Sequence, residues 1–283
     1  MTRVAVLGGF GQLGSDVVRR LGERAIALGH ADADLTDAAQ LAARLETVGP
    51  DIVINCAAYN LVDRAEDEPH AALAVNAVGV RNLATWCRDR DVPLLHVSTD
   101  YVFGAEASRR TPHLETDTTG PVSVYGTSKL AGENAVRELC PRHWIVRTCG
   151  LYGRHAARGK GNFVETMLRL AEERPELRLV NDQRCTPTST ADLADALIAL
   201  IESAPYGTYH ATNSGDCTWY EFAQAIFAAA GLSPRVVPIT SAEFAAKARR
   251  PDYSVLNCGK LAALGITLRP WTEAVAEYVR ASH

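Results

Sequence analysis

The chain has 283 residues, 47% of them hydrophobic and 22% charged, which are ordinary globular values, and at this size roughly three quarters of the unfolded surface can be buried. A net charge of −4 leaves no electrostatic footprint for nucleic acid or an acidic membrane surface, so neither is expected as a partner. The seven cysteines are odd in number, form no CxxC and mostly sit in apolar runs, which argues against a disulfide frame or a metal site and for reduced thiols in the cytoplasm.

The N-terminus enters an apolar run, Arg3 to Leu7, without a basic region or cleavage site, and no apolar stretch reaches the length of a membrane span. A cytoplasmic protein is expected. The run ends in Gly8-Gly9-Phe10-Gly11-Gln12-Leu13-Gly14, and a helical pattern follows through Leu21. Strand, glycine turn and helix form the context in which Gly8, Gly11 and Gly14 let the backbone approach a pyrophosphate at a helix N-terminus. Ala25 to Leu28 reads as a second strand followed by Gly29-His30. With no acid at that point to bind the adenosine ribose, a 2′-phosphate meets no repulsion, and the cofactor leans towards NADPH. Asp34-Leu35-Thr36-Asp37 opens a helix with Thr36 as candidate N-cap.

Asp51 to Cys56 is a continuous apolar strand of the kind buried in a parallel sheet, ending in Ala57-Ala58-Tyr59-Asn60, small enough at first to admit a flat ligand. Ala65 to Arg88 is helical with an interruption near Pro69, and its Asn76 is either a satisfied core residue or an orienter of the site. Pro93 to Val97 delivers Ser98-Thr99-Asp100 to a strand's carboxyl end, where open α/β sheets bind their ligands.

Residues 105 to 121 form a loop, and Val122 to Leu139 a helix that carries Tyr125-Gly126-Thr127-Ser128-Lys129. Four residues apart, the tyrosine and lysine share a helix face. A lysine cation beside the phenol lowers its pKa and makes it a usable acid for a carbonyl becoming an alcohol. His143 to Arg147 is the fifth strand; a basic, glycine-rich loop, Gly153 to Gly161, then leads to a helix start at Asn162, and its charges are either simply solvated or suited to an anionic substrate. Leu177 to Val180 is the sixth strand and Thr190 to Glu202 a capped helix; the tail alternates Thr208 to Ala211, Trp219 to Ala230, Val236 to Ile239, Ser254 to Asn257 and Thr272 to Ala281. This alternation predicts an α/β fold, a Rossmann-type doubly wound parallel sheet with a smaller C-terminal lobe. The dinucleotide-binding part is expected over residues 1–150 and roughly 176–213, the substrate lobe over roughly 151–175 and 214–283.

Taken together, the glycine turn, Ser98-Thr99-Asp100 and the Tyr125/Lys129 pair resemble the extended short-chain dehydrogenase/reductase superfamily, and within it the dTDP-4-dehydrorhamnose reductase family. Further stretches carry the likeness: Val62-Asp63-Arg64-Ala65-Glu66, Leu130-Ala131-Gly132-Glu133, Gly161-Asn162-Phe163, Asn181-Asp182-Gln183, Pro187-Thr188 and Arg250-Pro251. The resemblance implies that NADPH, with NADH as the alternative, delivers hydride to C4 of a nucleotide-linked 4-keto-6-deoxyhexose. It makes Tyr125 the proton donor, Lys129 the holder of the nicotinamide ribose, and Thr99 the hydrogen-bond partner of the keto oxygen. Cofactor contacts fall on Gly11, Gln12, Leu13, Asp34, Leu35, Ala58, Tyr59 and Asn60, joined by Gly8, Gly14 and Ala57. Asp100, Asn162 and Arg250 are assigned to the substrate, and a monomer or homodimer is expected.

The family commonly has Arg-Thr-Ser-Trp-Val-Tyr after the fifth strand, with the tryptophan against the substrate. Here Gly150 leaves that wall open, and Cys185 stands where glycine is usual. Sugar-nucleotide dehydratases follow the aspartate with an eliminating glutamate, whereas Asp100 is followed by Tyr101. An epimerase using the same pair, or a non-catalytic subunit like the methionine adenosyltransferase beta subunit, stays open as an alternative.

Overall fold

All four residues of β1 (Val4–Leu7) are buried, which a strand achieves when both faces of its sheet are covered. In the computed structural model, which describes residues 1–155 and 161–281, β1 lies inside a six-stranded sheet. It leads into α1 (Gln12–Leu21), β2 (Ala25–Leu28), α2 (Ala38–Val48) and β3 (Ile52–Asn55). The short helices α3 (Val62–Ala65) and α4 (Pro69–Leu73) and a π-helical turn at Ala74–Gly79 precede α5 (Val80–Asp89). Then come β4 (Leu94–Thr99), α6 (Val124–Leu139) and β5 (His143–Thr148).

The remainder is β6 (Leu151–Tyr152), α7 (Phe163–Glu173), β7 (Glu176–Val180), β8 (Arg184–Cys185), β9 (Thr188–Ser189), α8 (Thr190–Ser203) and β10 (Gly207–His210). Last are β11 (Cys217–Thr218), α9 (Trp219–Ala230), β12 (Arg235–Ile239), α10 (Ser241–Phe244), α11 (Gly259–Ala262) and α12 (Trp271–Arg280). Among the described residues no helix is long and apolar enough to cross a membrane.

The large sheet runs β10-β5-β4-β3-β1-β2 and every pairing in it is parallel. One face is covered by α1 and α8 through Leu13, Val17, Leu193 and Leu197. The other is covered by α2, α5 and α6 through Leu41, Leu45, Leu83 and Val136. From β1 the chain first steps outward to β2 and then reverses to β3, β4 and β5. The reversal point, between β1 and β3, is where such sheets open a crevice at the carboxyl ends of their strands.

The sixth strand of this sheet is β10, not the apolar run at Leu177 to Val180. That run, as β7, pairs instead with β12 and joins a separate core formed with Val164, Met167, Phe222, Ile226 and Val275. An apolar run states that a strand is buried but not in which sheet, and here the partner lies far along the chain. Three smaller readings also change. Asp37, not Thr36, caps α2, accepting from Ala39 and Gln40 N–H, while the Thr36 hydroxyl donates to Asp34 Oδ1 at 2.8 Å. Ser254 to Asn257 is no regular strand and enters the fold through isolated bridges at Tyr253 and Leu256. Strands β4 and β5 run on to Thr99 and Thr148, so Thr99 ends a rigid element instead of starting a loop.

A buried ion pair fastens α6 to the sheet. The Glu133 carboxylate, fully buried, accepts from Arg147 Nε and Nη2 of β5, each at 2.9 Å, and from Arg137 at 2.6 Å. Burial alone would raise the glutamate, but the two guanidinium groups hold it below the usual carboxylate range. Removing one partner strands the other's charge, so Glu133→Ala is predicted to lower stability by about 3–5 kcal/mol, read from urea unfolding. A loss below about 1 kcal/mol, the size of a surface pair, would contradict this anchoring.

Candidate active site

The crevice begins at the glycine turn. Gly8 has φ +70°, and a Cβ there would stand 2.8 Å from Ala57 N. At Gly14 a Cβ would come within 2.1 Å of the Gly8 carbonyl oxygen, so α1 can begin this close to β1 only with glycine in place. The N-cap of α1, Gly11, has no side chain to bond the first N–H groups, and its first turn holds no acid. Those free donors and the positive helix end are the chemistry that receives a pyrophosphate. Gln12 extends from the turn, donating to Leu151 O at 3.1 Å, while Leu13 is buried in the core.

The opposite wall is Ala57 to Asn60. Asn55 Oδ1 takes the Ala57 N–H at 3.0 Å, and Asn76 brackets Tyr59, accepting from its N–H and donating to its carbonyl, both at 2.9 Å. Ala58 and Asn60 are exposed. Asn76 Nδ2 also lies 3.0 Å from Ser128 Oγ, which donates to the Tyr125 carbonyl at 2.7 Å. Asn76 is therefore both a satisfied core amide and a link between the crevice wall and α6. It sits in the π-helical turn, an irregularity that frequently marks functional sites. Asp34 and Leu35 follow β2: Asp34 is partly open, and Leu35 is buried with its carbonyl accepting from Asn82 at 3.0 Å.

Ser123 caps α6 and Tyr125 stands in its first turn, half-buried and edge-on to Tyr101 with ring centroids 5.9 Å apart. Thr99 meets it from the end of β4, its hydroxyl within hydrogen-bonding reach of the phenol. Thr99 also donates to Asp100 Oδ1 at 3.0 Å and accepts from Tyr101 N at 3.2 Å. Lys129, one turn further along α6 and buried, donates to the Val97 carbonyl at 2.8 Å.

The expected electrostatics are reversed at the tyrosine. Burial pushes the Tyr125 phenol up to about 12, with the Thr99 hydrogen bond opposing and the nearby Asp100 adding to the rise. Burial pulls Lys129 down to about 8, against the attraction of Glu133. Asp100 is raised by its burial, while Ser254, Cys149 and Thr99 hydrogen-bond to it and resist the rise. Sequence spacing gives the proximity of tyrosine and lysine; it carries no information on the desolvation that decides the direction.

The structure places the three substrate assignments differently from one another. Asp100 is buried behind Thr99. Arg250 reaches across to Asp63 with both of its terminal nitrogens, at 3.1 and 2.8 Å, and lies in hydrogen-bonding reach of Tyr101. Asn162 caps α7, and its amide nitrogen is taken by Gln12, Gly153 and Tyr278, which puts it on the glycine-turn side instead of beside Tyr125. Of the basic loop, residues 156–160 lie outside the described residues.

The space beside Gly150 is not open. Gly150 has φ +53°, and a Cβ there would meet Pro187 Cα at 3.2 Å and the Trp219 indole at 3.5 Å. Trp219 comes from the start of α9, in the core around Phe222, and packs on Phe163, centroids 4.8 Å apart; nothing in the local sequence around Gly150 announces it. Cys149, preceding Gly150, lies against both Asp100 and Cys185.

Relatives with this architecture are numerous. The RmlD substrate binding domain family model matches residues 2–283. The dTDP-4-dehydrorhamnose reductase of Streptomyces griseus is 44% identical, the match covering 97% of this chain and 92% of that protein. The spore coat polysaccharide biosynthesis protein SpsK of Bacillus subtilis is 41% identical, over 99% of this chain and 98% of its own. The crystal structure of the Bacillus anthracis dTDP-4-dehydrorhamnose reductase in complex with NADP superposes with a TM-score of 0.93 at 38% identity, over 99% of this chain and 100% of that one. The chain belongs to the RmlD substrate binding domain family, whose matched members include the dTDP-4-dehydrorhamnose reductases.

Proposed function

We propose that this protein reduces the C4 ketone of a nucleotide-linked 4-keto-6-deoxyhexose, with NADPH as the hydride donor. The observation that carries the reading is the convergence of a protonated phenol, a hydroxyl and a buried ammonium at the crevice mouth: Tyr125, Thr99 and Lys129. The names of the relatives, several of them sugar-nucleotide 4-ketoreductases, supply the substrate class.

The dinucleotide fits the cradle that a Cβ at Gly8 or Gly14 would fill, with Gly11, Gln12 and the α1 N-terminus at its pyrophosphate and Ala57 to Asn60 along its other side. When bound, the reduced nicotinamide supplies the hydride. Thr99 turns its hydroxyl from Asp100 to the keto oxygen and polarises it. Tyr125 gives its proton to that oxygen as negative charge develops there. A phenol raised by burial suits this direction of reaction: it stays protonated until a stronger base, the alkoxide, forms beside it. Lys129 uses one of its three N–H donors on Val97, leaving two for ribose hydroxyls. Asp100 and Arg250 are positioning residues in this scheme, Asp100 holding the Thr99 hydroxyl until the ketone arrives and Arg250 pairing with Asp63.

Mixing the protein with NADPH and a dTDP-4-keto-6-deoxyhexose should consume reduced cofactor, followed by its absorbance. No consumption across a panel of keto sugars, with dinucleotide still binding, would favour a non-catalytic role. Tyr125→Phe should lower kcat by about 10²–10⁴-fold and barely move the dissociation constant for NADPH; near-normal turnover would remove Tyr125 as the acid. Lys129 is a cation below its lowered pKa and neutral above it. NADPH affinity should therefore be full at neutral pH and weaken as pH rises through about 8, and this loss should vanish in Lys129→Met. An affinity that stays flat up to about pH 10 would show that the ammonium plays no part in holding the cofactor.

A further inference from the structure

Trp219 opens α9, where Thr218 and Glu221 form a capping box, and its side chain runs back to the end of the large sheet. A Cβ at Gly150 would meet Trp219 Cη2 at 3.5 Å, so the outer rim of the indole stands over that residue. Across the sheet the partner of Thr99 is Thr148. Gly150 follows it by two residues, with Cys149 between them against Asp100. At about 4.8 Å between strands and about 3.3 Å per residue, the indole rim lies on the order of 10 Å from the Thr99 hydroxyl. That is the span of one pyranose ring with contact distances on both sides.

The indole is backed on its inner side and open elsewhere. Phe163 packs on it with centroids 4.8 Å apart and planes tilted by 47°, and Phe222 lies 6.3 Å away. Trp219 is nevertheless only half-buried, and among the described residues its Nε1–H has no acceptor. Tryptophans that serve the core of this chain look different. Trp86 and Trp144 are buried, and their indole N–H groups donate to Glu46 at 3.3 Å and to the Ala204 carbonyl at 3.1 Å.

An indole with one open face and a spare donor offers an apolar body and a polar tip. A hexose ring presents the complement, C–H groups on its faces and hydroxyls at its edge. We propose that Trp219 binds the hexose ring of the substrate, its open face packing on the ring's C–H groups and its Nε1–H donating to a ring hydroxyl. Wedged from α9 against the end of β5, it fixes how far the sugar enters and so brings C4 to Tyr125 and Thr99. This rests on the reading that the crevice reduces a nucleotide-linked keto sugar.

Two measurements test it. In steady-state kinetics Trp219→Ala should raise KM for a dTDP-4-keto-6-deoxyhexose by about tenfold, the loss expected on truncating a buried aromatic anchor, while kcat falls less than KM rises. The dissociation constant for NADPH should stay at the wild-type value, which a general loosening of the fold would not allow. In tryptophan fluorescence, a dTDP-linked 6-deoxyhexose should quench the wild type, dTDP alone should quench it much less, and Trp219→Phe should lose most of the sugar-dependent quench. A KM within twofold of wild type in folded Trp219→Ala, or a quench equal in wild type and Trp219→Phe, would overturn the role of Trp219. Should Trp219→Ala fail to fold, the fluorescence comparison with Trp219→Phe decides alone. Equal quenching by dTDP and by the dTDP-sugar would overturn the assignment to the hexose. A wild type that consumes no NADPH with any keto sugar would instead overturn the reductase reading, and the quench would still judge Trp219.

Discussion

Three turns of one helix face, each held to the sheet by a different kind of bond, set the geometry on which the site depends. Along α6, Tyr125, Lys129 and Glu133 follow one another at single-turn spacing. Tyr125 meets Thr99 at the end of β4, Lys129 donates to the Val97 carbonyl in that strand, and Glu133 grips Arg147 of β5. The innermost of the three is the strongest tether, since a buried ion pair cannot slide without leaving a charge unpaired. The outermost carries the phenol proposed as the proton donor. Rigidity at Glu133 is thereby passed outward to a phenol whose usefulness depends on where its oxygen stands.

The crevice is built on the other side of the same helix contact. The doubly wound sheet reverses between β1 and β3, and the two walls left there, the glycine turn and Ala57 to Asn60, approach within a Cβ's width at Gly8 and Ala57. Asn76 and Ser128 then carry hydrogen bonds from Tyr59 to the Tyr125 carbonyl. One continuous polar network thus joins the Ala57 to Asn60 wall to the backbone of Tyr125. Later parts of the chain also reach this region, through Trp219 beside Gly150 and the Arg250–Asp63 pair.

Much of this could be read from the sequence where the signal was local. Residue spacing identifies the glycine turn before α1, the Tyr125/Lys129 face and the Thr99 strand end. The missed features depend on contacts between segments distant in the chain or on turns that composition does not reveal. Leu177 to Val180 reads correctly as a strand, but its partner, β12, decides the sheet to which it belongs. Gly150 reads as an open wall because Trp219 fills it from another element. The direction of the Tyr125 pKa is not legible in the spacing, because it is set by desolvation in the folded protein.

The central claim is that hydride reaches a sugar carbon while Tyr125 protonates the oxygen on it. Supplying reduced dinucleotide deuterated at the transferring position of the nicotinamide, with a dTDP-4-keto-6-deoxyhexose, tests this most directly. The account predicts a product alcohol carrying deuterium at C4, matched one for one by oxidised cofactor. Product lacking deuterium at C4, or a changed sugar with no net oxidation of cofactor, would contradict it.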